Sequence, residues 1–400
     1  MLQWMMGANL LAKIAVSLFS GCGGFDAGFV SGGFKVIEAH DVDPVAVATY
    51  NANFLPVARA TDLGALNVDI PTADLVIAGP PCQGFSTIGN LRCDDERNSL
   101  LAKTCKIVVK RKPRLLVLEN VMGLTTSRNF AVLEAALSML SDHGFFVEVV
   151  SVKAEELGVA QRRRRIIIFA RRGKRPFNVL MPTSGKRTVF DVLKDVNEPA
   201  SRRPKLLPPN SKSRLIAERI KPGQKLCNVR ESPASVHTWD IPEVFGSVSG
   251  AERAVLQALL RLRRTERVRS FGDADPVTLS RIRAVIGSRS EALLYRLCNK
   301  GYVRRIGQRY DLAHTFNGSY RRLRWDAPSP TVDTHFGDPR LFLHPEKHRG
   351  LSVSEAAALQ GFDVDFDWPE SRSAAFRLIG NAVPPPISKA VAKVAKGLLL

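Results

Sequence analysis

The chain has 400 residues, 45% of them hydrophobic and 24% charged, enough apolar matter for one large domain and a smaller one. Its formal net charge of +20 is local: Lys and Arg against Asp and Glu number 17 and 16 over 1–170, 33 and 13 over 171–325, and 8 and 9 over 326–400. A basic block between two neutral ones suits a polyanion, nucleic acid above all, whereas no apolar span of 18 residues and no long basic amphipathic helix points to a membrane.

Met1 to Leu11 is apolar but has no basic residue before Lys13, so a secretory leader is not expected, and Met5 or Met6 is an alternative start. A first strand follows, Ile14 to Phe19. Ser20-Gly-Cys-Gly-Gly24 then turns the chain into a helix near Phe25 to Val30, and glycines there let a ligand approach the backbone. Gly21 and Gly23 open a dinucleotide fingerprint, but its third glycine would fall on Asp26; nucleoside binding is expected, pyrophosphate binding is not. A second strand, about Lys35 to His40, ends in Asp41-Val-Asp43, where an acid can accept from a ribose diol. Asp62, after a third short strand, is placed to accept from an adenine amino group. Each acid alone also suits a helix cap or a turn.

The apolar run Ala73 to Ala78 reads as a buried parallel strand that leaves its sheet at Gly79-Pro-Pro-Cys-Gln-Gly-Phe-Ser86. Two prolines cannot continue a ladder; they stiffen a loop that presents the Cys82 thiol as a candidate nucleophile. A cysteine taken alone is more often a small buried apolar residue. Arg97-Asn-Ser-Leu-Leu101 opens a helix, and the polar stretch Thr87 to Arg97 before it suits a lid over nucleic acid. Arg114 to Leu118 is a fifth strand with Glu119-Asn120-Val121 at its carboxyl end, where such sheets present catalytic groups. After a strand over Phe145 to Val152, Gln161-Arg-Arg-Arg-Arg165 enters the strand Ile166 to Phe169, and alternation puts Arg163 and Arg165 on one face, Arg162 and Arg164 on the other. The six cysteines (22, 82, 93, 105, 227, 298) lack metal-site spacing and read as reduced thiols of a cytoplasmic protein.

Taken in order, Phe19-Ser-Gly-Cys-Gly-Gly24, Gly79 to Ser86, Arg97-Asn-Ser-Leu100, Glu119-Asn-Val121, Gln161-x-Arg-x-Arg165, Leu359-Gln-Gly-Phe362 and Gly380-Asn-Ala-Val-Pro384 resemble the motifs of the bacterial DNA cytosine-5 methyltransferases. The resemblance covers the first 170 and the last 75 residues. It implies a Rossmann-like doubly wound α/β sheet of the class I methyltransferase type as the catalytic domain over 1–172, a basic target-recognition region over 173–325 and a return to the catalytic domain over 326–400. It also implies S-adenosyl-L-methionine as cofactor. Phe19 would flank the adenine beside Val42, Asp41 would take the ribose hydroxyls, and Asp62 with Leu63 the adenine edge. Gly21, Gly23, Gly24, Gly79, Pro81 and Leu100 would line the pocket, with Asn381 reaching back to it.

By the same resemblance, Cys82 adds to cytosine C6, Glu119 serves the ring at N3, Arg165 holds O2 and Glu119, Arg163 steadies the catalytic loop and phosphates, and Asn120 braces that loop. Gln83, Ser86 and Arg97 would touch DNA, and the target base must leave the duplex to be reached. The chain departs from the family at Val42, where Trp or Ile is common, at Ala358, where an arginine is usual, and at Asp363, where a proline is expected. A sequence-specific methylase of double-stranded DNA is implied, monomeric and bound to the nucleoid, solitary or paired with a restriction endonuclease for the same site. An RNA cytosine methylase shares these residues, but the basic block suits duplex grooves. A DNA-binding regulator with an inactive catalytic domain is opposed by intact Cys82, Glu119, Arg163 and Arg165.

Within the basic block, Arg171 to about Pro242 reads as irregular. Helical spacing returns at Val255, Leu256, Leu259 and Leu260, at Leu279, Ile282 and Val285, and at Leu293, Leu294 and Leu297; Tyr302 to Leu312 is a hairpin turning at Gly307-Gln308. Three short helices and a basic hairpin resemble a winged helix-turn-helix over 251–312. Ser288 to Arg296 would then read a groove and Arg304, Arg305 and Arg309 would contact phosphates; a plain helical insertion is the alternative.

Overall fold

Seven strands join one sheet because most of their residues can be buried on both faces. They alternate with helices as β1 (Ile14–Leu18), α1 (Gly24–Ser31), β2 (Lys35–Asp41), α2 (Pro44–Asn53), β3 (Ala58–Ala60), β4 (Leu75–Ala78), α3 (Asn98–Arg111), β5 (Leu115–Val121), α4 (Phe130–Asp142), β6 (Phe145–Lys153) and β7 (Arg164–Arg172). The structure, a computed structural model, describes residues 12–65, 68–81, 98–127, 129–197, 203–269, 272 and 274–400. Strand order is β3-β2-β1-β4-β5-β7-β6, parallel from β3 to β5, with β7 antiparallel to both its neighbours. Period-two alternation sorts the side chains. Leu75, Ile77, Leu115, Val117, Ile167 and Phe169 face a core with Phe29 and Tyr50, while Val76, Ala78, Leu116, Leu118, Ile166 and Ile168 face another with Leu101 and Leu133. Helices on both faces make this the expected doubly wound α/β fold.

The chain divides into two compact units: Met1–Arg202 with Asp326–His335 and Val353–Leu400, and Arg203–Trp325 with Phe336–Ser352. Two segments therefore fall differently from the expected boundaries. Residues 173–202 belong to unit 1, because Phe177, Val179 and Met181 pack on its core and the short helix α5 (Val189–Leu193) is tied by Val189 N to Ala327 O at 3.0 Å. Residues 336–352 belong to unit 2, whose core takes in Leu343.

Unit 2 is made of short pieces: α6 (Lys212–Arg219), β8 (Lys225–Cys227), β9 (Ser235–Val236), α7 (Pro242–Phe245), α8 (Gly250–Thr265), β10 (Val277–Thr278), α9 (Leu279–Ile286), α10 (Ser290–Asn299), β11 (Val303–Ile306), β12 (Arg309–Leu312), β13 (Asn317–Ser319), β14 (Arg321–Arg322) and β15 (Phe342–Leu343). Buried Arg322 fastens one end of the unit, donating to the carbonyls of Ala217 (2.7 Å), Ile220 (2.6 Å), His344 (2.9 Å) and Lys347 (3.0 Å). A second core gathers α8, α9, α10 and the β11–β12 hairpin around Leu256, Leu259, Ile282, Leu294 and Leu297.

The chain then re-enters unit 1 as α11 (Val353–Gln360), α12 (Arg372–Asn381) and α13 (Pro385–Leu398). The last of these lies on α1. A Cβ on Gly28 would collide with Lys389 N, so only glycine admits the approach, and Ser388 Oγ accepts from Gly28 N at 3.1 Å and donates to Phe25 O. Ile387, Val391, Ala392 and Ala395 complete the core above β1.

Candidate active site

Strands β4 and β5 run side by side with Ala78 opposite Leu118, so the chain leaves β4 at Gly79 beside Glu119. Gly79 N still donates to Leu18 O at 3.1 Å, after which the prolines end the ladder. On the next strand Arg165 pairs opposite Val121, which makes it the same-face diagonal neighbour of Glu119. Its Nε stands 2.8 Å from Glu119 Oε1, with side chains 15% and 12% exposed, so the pair is largely screened from water. Arg165 also donates to Arg164 O at 2.8 Å, which fixes the guanidinium plane. Between them Asn120, buried, donates from Nδ2 to Pro80 O at 3.3 Å and accepts from Val121 N at 2.8 Å. That side chain ties the end of β5 to the proline loop. Cys82, Gln83, Ser86, Arg97 and the stretch from Thr87 to Arg97 lie outside the described residues, as does Met1 to Leu11.

Arg163, on the expected face, is only 2% exposed and donates to Val332 O and Gly380 O at 3.2 Å each. Burial leaves it no approach to a phosphate; it joins the entry to β7 to the segment after residue 330 and to the end of α12. Gln161 works beside it, accepting from Val332 N at 3.1 Å and donating to Leu359 O at 3.3 Å and to Gln360 Oε1. Gln360 in turn donates to Ile379 O (2.7 Å) and Ala382 O (3.0 Å). Residues 161, 163, 332, 360 and 380 thus form one buried polar knot, with few polar atoms left unmet.

The glycine loop after β1 meets the end of β2. Asp41 accepts from Gly21 N at 2.8 Å and from Asp43 N at 2.9 Å, and burial raises its carboxyl above the usual range. Phe19 stands at φ +56 and Gly23 at φ +90, where a Cβ would strike the Phe54 ring. A Cβ on Gly24 would lie 2.6 Å from Val383 O, which brings the motif after α12 against the glycine loop. On Gly21 the same atom would meet nothing within 4 Å among the described residues, which leave that side of the loop, next to Asp41, open. Val42 is 68% exposed. Asp62 accepts from Gly64 N at 2.8 Å, the turn-forming geometry, and Leu63 is buried while Pro81 and Leu100 are half-buried. Asn381 is exposed and makes no side-chain hydrogen bond among the described residues.

In the sequence Asp26 shows itself only by spoiling a fingerprint and by standing between Phe25 and Phe29. It is fully buried, accepts from Ser17 Oγ (2.9 Å) and Tyr50 OH (3.4 Å), and burial pushes it up to about 7. Its setting between Phe25 and Phe29 was the visible signal that could have found it. Cys22 and Cys105 are buried free thiols, pushed up to about 12 by burial, and are poor nucleophiles for that reason. Among the described residues no group of His, Cys, Asp and Glu could hold a metal, and no helix is long and apolar enough to cross a membrane.

The family profile described as C-5 cytosine-specific DNA methylase matches residues 14–397. The chain belongs to that family. The methylase is 31% identical to Type II methyltransferase M.AgeI of Thalassovita gelatinovora over 426 residues, 95% of this chain and 98% of that protein. It is 28% identical to Type II methyltransferase M.HgiCII of Herpetosiphon aurantiacus, over 94% of this chain and 95% of that one. The solved structure of a prophage-encoded protein (E. coli), described as a DNA modification methyltransferase, has a TM-score of 0.58 at 22% identity, covering 97% of this chain and 99% of its own. S. pombe Dnmt2 methyltransferase gives 0.51 at 15%, covering 96% and 99%. These two likenesses show a shared fold; the family match makes the methylase a DNA (cytosine-5) methyltransferase.

Proposed function

We propose that the methylase forms a transient covalent bond between Cys82 and C6 of a cytosine turned out of duplex DNA, within a defined recognition sequence. The observation that carries this reading is the screened Glu119–Arg165 pair, 2.8 Å apart, at the sheet edge where the Pro80-Pro81 loop begins. Cytosine C5 is too weak a nucleophile to be methylated directly. Addition of a thiolate at C6 pushes an electron pair into the ring, making C5 an enamine carbon and loading N3 with charge. Glu119 would donate a hydrogen bond to N3, and Arg165, which holds Glu119 at 2.8 Å, would also hold the neighbouring O2. Asn120 keeps Pro80, two residues before Cys82 in the sequence, in register with the acid. Once C5 carries the transferred methyl group, loss of its proton to water lets the C6–S bond break, which releases the Cys82 thiolate and restores the aromatic ring. The base is accessible only outside the stack, at a cost of a few kcal/mol met by pocket and phosphate contacts.

The glycine loop fits S-adenosyl-L-methionine: among the described residues it has an open side at Gly21, and Asp41 keeps a lone pair on each oxygen for ribose hydroxyls. Phe19, Val42, Asp62 and Leu63 would hold the adenine. Gly23, Gly24, Gly79, Pro81, Leu100 and Asn381 would line the remainder. When bound, this cofactor supplies an electrophilic methyl group on a sulfonium. The relatives named as Type II methyltransferases support a place beside a restriction endonuclease for the same site. The chain would act as a monomer on DNA at the nucleoid.

Expression in a host without cytosine methylation, followed by genome-wide mapping of 5-methylcytosine, is expected to return one sequence motif. Cys82→Ala should abolish it, and duplex carrying 5-fluorocytosine should trap the wild-type protein as a stable adduct. Undiminished transfer by Cys82→Ala would sink the proposal.

A further inference from the structure

Residues 250–312 run α8, β10, α9, α10, β11, β12, and their three strands pair in the order β10-β12-β11, all antiparallel. The first strand therefore lies on the outer edge of a hairpin made by the last two, with three helices packed over one core. α9 and α10 are joined through Gly287 at φ +91, a helix-turn-helix. α10 buries Leu293, Leu294 and Leu297 and leaves Ala292, Tyr295, Arg296 and Asn299 in solvent, with Tyr295 69% exposed.

Charge separates on this module. It holds fourteen Lys and Arg against six Asp and Glu. Every described carboxylate in it is engaged by a cation of the module: Glu252 by Lys300, Glu266 by Arg281, Asp275 by Arg269, Glu291 by Arg283, and Asp311 by both Arg263 and Arg304. Arg289 at the N-cap of α10, Arg296 on that helix, and Arg305 and Arg309 on either side of the hairpin turn, meet no carboxylate among the described residues and are exposed. Arg305 donates to Gly307 O at 2.9 Å and Arg309 to Pro276 O at 3.2 Å, which steadies each guanidinium and leaves most of its five donors free. Arg261 and Arg264 of α8 are likewise exposed, but the other four gather on one helix and one hairpin.

We infer that residues 250–312 are a winged helix-turn-helix that grips duplex DNA, with α10 in the major groove and the β11–β12 hairpin on the flanking backbone. Tyr295, Arg296 and Asn299 face the base edges, and Arg289, Arg305 and Arg309 the phosphates. Arg304 is committed to Asp311 at 2.8 Å, and Asp311, which also pairs with Arg263, fastens the hairpin to α8. The B-form major groove, about 12 Å wide, admits a helix with exposed side chains, whereas the deep, narrow major groove of A-form RNA does not. The inference rests on the proposed function only for the choice of DNA as polymer.

The test uses the full chain and fluorescence anisotropy with a labelled 30-base-pair DNA duplex across a series of KCl concentrations. Three phosphate contacts at about 0.9 each predict that R289Q/R305Q/R309Q flattens the slope of log K against log salt by about 2.7 and weakens binding at least tenfold at low salt. R289K/R305K/R309K should restore the slope, and R304Q should lower the thermal midpoint with the slope unchanged. Y295A/R296A/N299A should relax or change the mapped methylation motif. A wild-type slope in the triple Gln variant, no rescue by lysine, or a loss confined to single-stranded RNA would overturn the inference. A wild-type chain that binds duplex but transfers no methyl would count against the proposed chemistry alone; one that transfers methyl while the Gln variant keeps its slope would count against this inference alone.

Discussion

In unit 1, β4 is buried along its whole length and β5 everywhere but its last residue, and the Glu119–Arg165 pair sits where the sheet ends. In unit 2, no described strand exceeds four residues, and charge goes into the interior, as it does at Arg163 in unit 1: Arg322 among backbone carbonyls, Arg263 against Asp311. A long buried sheet supplies its own rigidity, so a charged pair at its rim is available for chemistry. Short elements with small cores need directional links, and there the buried cations act as fasteners.

The contrast predicts that removing a rim charge costs rate and removing an interior charge costs folding. Glu119→Gln should lower methyl transfer by about 10²- to 10⁴-fold while leaving the thermal midpoint near wild type; a midpoint that falls with the rate would blur the distinction. Arg322→Met should cost unit 2 on the order of 3 kcal/mol, since four buried carbonyls lose their donor at once. Denaturant melts, with hydrogen exchange localising the loss to α6, would read it, and a change under ~0.5 kcal/mol would end the fastener account.

A slope with pH, rather than a step in stability, sharpens the rule at Asp26, an interior acid of unit 1. Its folded value, about 7, lies above the ordinary 3.8, so the folded state holds the proton more tightly and binds more protons between those values. Stability from this group is full below about pH 4, declines as pH rises toward 7 and levels off above, at no more than ~1.4 kcal/mol per pH unit. Asp26→Asn should remove that slope in unfolding melts run from pH 5 to 8. An unchanged pH dependence would show that Asp26 does not titrate in this range.

The strands of unit 1 were legible because a run such as Leu75 to Ala78, bounded by turn residues, has few other ways to be buried, and the carboxyl-end position of Glu119 followed from it. The antiparallel insertion of β7 beside β5 was not legible, since an apolar run such as Ile166 to Phe169 looks alike in either direction. Arg163 was placed on the correct face, but its carbonyl partners at Val332 and Gly380, more than 160 residues away, have no local signature. The three helices and hairpin after residue 250 were visible from spacing. The short β10 that completes their sheet was not, because two residues carry no periodicity. Nor could spacing separate Arg304, spent on Asp311, from Arg305 and Arg309 beside it.

The seating of α13 against Gly28 also has a bearing on synthesis. Phe25, Phe29 and the near side of β1 stay uncovered on the ribosome until the polypeptide beyond Pro385 has emerged, after all of unit 2 has been made. A product terminated upstream would carry unit 2 with the core above β1 unfinished, so the fold itself delays methyl transfer until translation has passed α13.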